Sequence, residues 1–145
     1  MCAVTDASRS TIFIHAEPAA VMNVIGDVAK YPQWIHFLKD VEILETDESG
    51  RPATARFVLD AAVIVDEYTL AYTWSYDEVS WQLVSGTSIK AMDGSYRLQA
   101  TTDGTDVEYA LAIDVTVPLL PVLKRKAEHV LIDTALRALK MRVEA

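Results

Sequence analysis

Two periods of hydrophobicity divide the chain. Between residues 41 and 117 apolar side chains recur at every second position. The pattern is plainest at Tyr68, Leu70, Tyr72 and Trp74 and again at Val107, Tyr109, Leu111, Ile113 and Val115, with mostly small or polar residues between them. That alternation belongs to strands with one buried and one wet face. Turn-forming clusters at Asp47-Glu48-Ser49-Gly50, Asp77-Glu78, Ser85-Gly86-Thr87-Ser88 and Thr102-Asp103-Gly104-Thr105 divide the stretch into about six antiparallel strands. Ser10 to His15 reads as a first strand ahead of them.

Elsewhere the period is helical. Pro18 opens a stretch with Val21, Val24, Ile25 and Val28 at helical spacing, and KYPQWIHFL follows as a second short, turn-rich piece, so two small helices are expected. After Pro118 and Pro121 the spacing predicts one long helix over Val122 to Val143. Its stripe would be Leu123, Ala127, Val130, Leu131, Thr134, Ala138 and Met141, widened by Ile132, Leu136, Leu139 and Val143.

The order strand, two short helices, six strands, long helix predicts one α+β domain over residues 1–145. Its seven-stranded antiparallel sheet has the helices gathered on one face. Seven strands at ~4.8 Å spacing span roughly 30 Å, whereas a helix with its side chains covers about 10 to 12 Å. One helix cannot cover a flat sheet. The sheet must curl around it, and the space between them is filled by large side chains or by a guest. Tyr68, Leu70, Tyr72, Trp74, Trp81, Tyr96 and Tyr109 supply the inward wall by their phase, and Ala127, Leu131, Thr134, Ala135 and Ala138 face them from the helix. The small helix residues fit either close packing or a pocket. Tyrosines favour the pocket, because a buried phenol needs a hydrogen-bond partner.

Charge narrows the partners. The 145 residues carry a net charge of -8, which argues against nucleic acid. Residues 1–123 hold 7 Lys and Arg against 18 Asp and Glu, net -11, while 124–145 hold 6 against 3, net +3. The basic segment reads first as the solvated face of an amphipathic helix. Lys124, Arg125 and Lys126, however, crowd the helix start, where the dipole disfavours cations. With Leu119, Leu120, Val122 and Leu123 beside them, they are candidates for transient docking on an anionic membrane surface. The longest uncharged stretch, Val79 to Ile89, has 11 residues, too few to span a bilayer. MCAVTDASRS lacks a secretory pattern and the lone Cys2 allows no disulfide framework, so a cytoplasmic location is expected.

Chemistry is sparse. His15, His36 and His129 lack the spacing of a metal site, and neither a G-x-S-x-G elbow nor a phosphate loop occurs, so neither metal nor cofactor is expected. Ser95 follows Gly94 within a strand pattern, where glycine reads as a bulge. The candidate catalytic groups are Asp66, in phase with Tyr68, and Glu128, inside the apolar arc of the helix. Arg56 and Arg97 are out of phase with the inward residues, leaving the pocket without an evident cation.

Asp27, Tyr31-Pro32-Gln33-Trp34, Ser80-Trp81-Gln82-Leu83, Asp93-Gly94-Ser95-Tyr96 and the terminal LKRKAEHVLIDTALRALKMRVEA together resemble the START-like, or helix-grip, superfamily. Within it the chain is most similar to small actinobacterial proteins of the polyketide cyclase/dehydrase branch, which is akin to coenzyme Q-binding START domains. The resemblance implies a seven-stranded sheet gripping the terminal helix around a hydrophobic cavity, with entrance loops near the short helices, and brings Trp34 among the cavity residues. It implies either a carrier of a lipid, quinone or polyketide-like molecule or a cyclase/dehydratase closing a ring by aldol chemistry. In the second case Glu128 or Asp66 would be the base. A protein-interaction module on the outer sheet face is a third class.

Overall fold

A computed structural model describes residues 7–62, 64–117 and 119–145; Cys2, the first residues and Pro118 lie outside the described residues. The chain forms β1 (Ser8–Ile14), α1 (Pro18–Gly26), a 3-10 segment (Val28–Gln33), β2 (Leu38–Thr46), β3 (Pro52–Asp60), β4 (Val65–Trp74), β5 (Glu78–Gly86), β6 (Ile89–Ala100), β7 (Thr105–Val115) and α2 (Pro121–Glu144). One antiparallel seven-stranded sheet runs in the order β1-β7-β6-β5-β4-β3-β2, so β1 and β2 are its edges. This is the helix-grip architecture of the α+β class, with the curved sheet around α2.

Boundaries shift by a few residues. β1 begins and ends earlier than the Ser10 to His15 pattern suggests, because Ser8 to Ile14 pairs with Leu111 to Thr105 across the edge. α2 gains a residue at each end, with Pro121 at its start, where a missing N–H costs nothing. Its buried set is Ala127, Glu128, Leu131, Ile132, Ala135, Leu136 and Leu139. Leu123, Val130 and Met141, read as part of the inward stripe, are exposed. The true stripe is turned toward Glu128, because the centre of the buried face is held by polar contacts that hydrophobic spacing does not register.

Those contacts pin α2 to the edge strand. Glu128 accepts from Ser8 Oγ at 2.7 Å and from the Ile113 N–H at 2.8 Å. β1 stops pairing at Leu111, so the helix carboxylate takes up the β7 N–H beyond the last rung. At the other end Lys140 Nζ donates to the Phe13 carbonyl at 2.6 Å, and Glu144 accepts the His15 N–H at 2.9 Å. α1 has no side-chain cap and lies against α2 and β6.

The core is the concave side: Ala55, Phe57 and Leu59 of β3, Tyr68 and Leu70 of β4, Val79 and Trp81 of β5, Tyr96 and Leu98 of β6, Val107, Leu111 and Ile113 of β7. Gly94 lies in regular register opposite Leu111, with no bulge there. Its role is close approach: a Cβ at position 94 would come 2.2 Å from the Trp81 indole, which rests on the bare backbone. The β3–β4 turn is the least foreseeable. It carries Ala62 at φ 66, a left-handed conformation that L side chains disfavour.

Candidate functional site

Between the concave sheet, the 3-10 segment and α2 lies a cavity of about 60 Å³. Tyr68, Leu70 and Tyr72 of β4, Trp81 of β5, Met92 and Tyr96 of β6, Tyr109, Leu111 and Ile113 of β7, Phe57 and Leu59 of β3 and Leu131 and Ala135 of α2 line it. Tyr31, Ile35, Phe37 and Leu38 close the remaining side. Ligand sites typically occupy about 300 to 1,000 Å³, so this interior is narrow and must widen to take a guest. A larger hollow of about 740 Å³ lies on the outer face around Thr73, Ser80, Gln82 and Ser95, but it is a shallow, partly polar trough open to water. It would desolvate little of a ligand, so the inner cavity is the better candidate.

Rings cover the inner wall in two groups, a Phe57–Tyr68 pair and a cluster around Trp81. Phe57 stacks on Tyr68 with centroids 5.5 Å apart, and Trp81 meets Tyr72 at 6.0 Å, Tyr96 at 5.6 Å and Tyr109 at 5.6 Å. Tyr96 and Tyr109 approach to 4.6 Å. Strand register makes the cluster: Tyr72 faces Trp81, and Tyr96 faces Tyr109. Burial pushes the pKa of Tyr31, Tyr68, Tyr72, Tyr96 and Tyr109 above the ordinary phenol value. For all but Tyr109 itself, repulsion from the neighbouring Tyr109 oxygen adds to it, so the hydroxyls share one region. Tyr31 donates to the Ile25 carbonyl of α1. The hydroxyls of Tyr68, Tyr72, Tyr96 and Tyr109 make no hydrogen bond to any described residue, nor are they sealed from the cavity.

Among the residues singled out from the sequence, Tyr68, Leu70, Tyr72, Trp81, Tyr96, Tyr109 and Leu131 come together on this lining. Trp34 packs edge-on against Tyr31, 5.3 Å between centroids, behind the wall. Trp74 donates Nε1–H to the Pro52 carbonyl at 2.6 Å and stacks on Tyr72, one ring removed. Of the small α2 residues expected to face the wall, Ala135 lies on the lining, while Ala127, Thr134 and Ala138 lie outside it.

Neither candidate carboxylate projects into the cavity. Asp66 is buried, but it accepts the N–H groups of Glu67 at 2.8 Å, Thr87 at 3.1 Å and Ile89 at 2.8 Å, closing the β5–β6 turn. Glu128, 1% exposed, spends its oxygens on Ser8 and Ile113. Phase and amphipathicity foretell the burial of both groups; they do not reveal which donors are waiting. Arg56 and Arg97 project outward, Arg56 toward Glu42 at 3.0 Å and Glu67 at 2.9 Å, and Arg97 toward Glu78 at 3.4 Å. His15, His36 and His129 are exposed.

The sequence reading did not name Ile35, Phe37, Leu38, Phe57, Leu59 and Met92 of the lining, nor Arg51 beside it. Arg51, at the tip between β2 and β3, lays its guanidinium over Trp74, 5.4 Å from the ring centroid, and directly against Gly26. Periodicity cannot place a loop side chain.

A family described as "Polyketide cyclase / dehydrase and lipid transport" matches residues 14–140. Among solved structures, a START superfamily protein from Mycobacterium smegmatis superposes with a TM-score of 0.88 at 20% identity, covering 95% of this chain and 97% of that one. The Zhui aromatase/cyclase from Streptomyces sp. R1128 superposes at 0.79 and 16%, covering 96% and 93%. A protein of Thermus thermophilus does so at 0.79 and 19%, covering 95% and 97%. No curated protein matches in sequence. At such identities the likeness is one of fold.

Proposed function

Because the chain belongs to the polyketide cyclase/dehydrase and lipid transport family, we propose that it binds and carries or sequesters a hydrophobic or amphipathic small molecule in the cavity between sheet and α2. The observation that carries this reading is the set of four phenol hydroxyls, Tyr68, Tyr72, Tyr96 and Tyr109, turned on an apolar cavity without a protein partner. These hydroxyls open on the cavity and are not sealed in the core, so they are free to bond a guest that bears oxygen, while its apolar body gains roughly 25 cal/mol per Å² removed from water. Widening a narrow interior subtracts from the gain and tunes affinity.

Ring closure by a cyclase/dehydratase is the second reading, favoured by the fold shared with an aromatase/cyclase. Phenols held protonated by burial suit donation to a developing enolate oxygen. A base is harder to find, since Glu128 and Asp66 are committed elsewhere. Binding therefore has the stronger support.

Delivery would use the start of α2. Leu120 and Val122 are 66% and 69% exposed, Leu119 and Leu123 adjoin them, and Lys124, Arg125 and Lys126 follow directly. Lys124 reaches Asp114 at 3.3 Å. On vesicles rich in phosphatidylglycerol the protein should co-sediment, and Leu120→Asp with Leu123→Asp should release it; no difference between the two proteins removes the docking idea.

The cavity itself is tested by native mass spectrometry of freshly purified protein together with quenching of Trp81 fluorescence by fatty acids, quinones and aromatic polyketides. A retained compound, or saturable quenching below about 100 μM, supports the carrier. Neither one sinks it.

A further inference from the structure

We propose that Arg51 receives the acidic head of the guest, so that the cavity takes an amphipathic carboxylate and holds it with the head toward the β2–β3 tip. This rests on the carrier reading above.

The first ground is the state of the guanidinium. Every other arginine of the sheet is matched, Arg9 by Glu108 at 3.5 Å, Arg56 by Glu42 and Glu67, and Arg97 by Glu78, while the exposed Lys39 and Lys90 are not. Arg51 has no carboxylate within ion-pair distance among the described residues. Its one side-chain hydrogen bond runs from Nη1 to the Met22 carbonyl of α1 at 3.5 Å, the far limit of such a bond. Asp47, four residues earlier, accepts the Arg51 backbone N–H rather than its side chain. Five donors in a fork built for a carboxylate are thus held on an aromatic face and a weak carbonyl contact.

Position is the second ground. Arg51 lies on Trp74, Trp74 stacks on Tyr72 at 5.2 Å, and Tyr72 lines the cavity, so two rings separate the guanidinium from the interior. Tyr31, also on the lining, feels the Arg51 charge. The lining itself is graded along the strands. Tyr72, Tyr96 and Tyr109 stand toward the β2–β3 tip, whereas Leu59 and the register partners Met92 and Ile113 stand toward the opposite end. Three of the four free phenols thus stand toward the Arg51 end, with Tyr68 alone nearer the other.

Access is the third. α2 is tied to β1 at Glu128 and Lys140, whereas the side of the cavity closed by Tyr31 of the 3-10 segment is linked through the Ile25 carbonyl to α1, which meets the hairpin tip through Arg51. When α1 and the 3-10 segment lift together, the weak bond to Met22 is exchanged for a bidentate bond to the arriving carboxylate, and the guest enters tail first past the rings. Over residues 1–123 the net charge is -11, which would repel an anion unless a cation met it.

The test pairs dodecanoate with dodecanol, equal in tail and different in head, by calorimetric titration of the wild type, Arg51→Met and Arg51→Lys at low salt. The wild type should prefer dodecanoate by about tenfold. Arg51→Met should erase the preference while holding dodecanol within about twofold, and Arg51→Lys should keep part of it. Equal loss of both ligands in Arg51→Met, or an undiminished preference, overturns the proposal. Wild type that binds dodecanol without preferring dodecanoate also overturns it and leaves the carrier reading standing; wild type that binds neither overturns both. Should Arg51→Met fail to fold, Arg51→Lys and salt decide: the preference must weaken with added salt and with Lys, and constancy in both refutes it.

Discussion

Two sets of interior polar groups meet opposite fates in this molecule. Glu128 and Asp66 sit under helix and turn with every acceptor met by a hydroxyl or backbone N–H. Tyr68, Tyr72, Tyr96 and Tyr109 sit a few residues away with hydroxyls that no described residue meets. The carboxylates are sealed and spent, whereas the phenols open on the cavity and have capacity to spare. A polar group turned inward marks a place where something must be satisfied. Whether the fold has already satisfied it separates scaffold from site.

Alkali strikes the contrast hardest. Burial raises the pKa of five tyrosines, so below about pH 10 folded and unfolded chains hold the same phenol protons and stability is unaffected by them. Above it the unfolded chain releases protons that the fold retains. Stability then falls by about 1.4 kcal/mol per pH unit for each such phenol until the folded value is reached. Urea midpoints should drop steeply between about pH 10 and 12, with phenolate absorbance rising in step with unfolding. Phenolate that appears while near-ultraviolet dichroism is intact would show the hydroxyls to be open to water.

Next comes the saturated pair. Glu128→Leu strands the Ser8 hydroxyl and the Ile113 N–H and should cost about 3 kcal/mol in urea unfolding, with Glu128→Gln near half of that. Asp66→Ala should cost about 2 kcal/mol by freeing the Thr87 and Ile89 N–H groups. Neither change should alter guest binding once the fold is intact. A mild effect on stability together with lost binding would move these carboxylates from scaffold to site.

The smallest effect is the most telling. Tyr96→Phe and Tyr109→Phe remove hydroxyls that bond nothing, so stability should stay within about 0.5 kcal/mol or rise. Affinity for an oxygen-bearing guest should meanwhile fall about five- to tenfold, read by Trp81 quenching. A loss above about 1 kcal/mol would mean that the fold does use them.

How far the sequence reached follows from the physics of each feature. Strand alternation placed Tyr68, Tyr72, Tyr96 and Tyr109 on one face, because side-chain direction in a strand depends on parity alone. The width of seven strands against one helix foretold a hollow. Parity could not foresee how thoroughly large rings would fill it, down to about 60 Å³. Helical spacing found α2 but turned its stripe, since Glu128 counts as polar while lying at the centre of the buried face. The β3–β4 turn was invisible because Ala61 and Ala62 carry no turn chemistry, although Ala62 adopts a positive φ. Arg51 was hidden for a related reason: what a loop side chain touches is set by Gly26 and Trp74, remote in sequence.

Gly94 carries a consequence for the lineage of such a chamber. With Trp81 lying flat on its backbone, the smallest side chain there would lever the indole inward and shrink the room left for cargo. A single position on β6 thus works as a gauge of bore, and selection for slimmer passengers has a one-residue handle that acts through Trp81 of the lining.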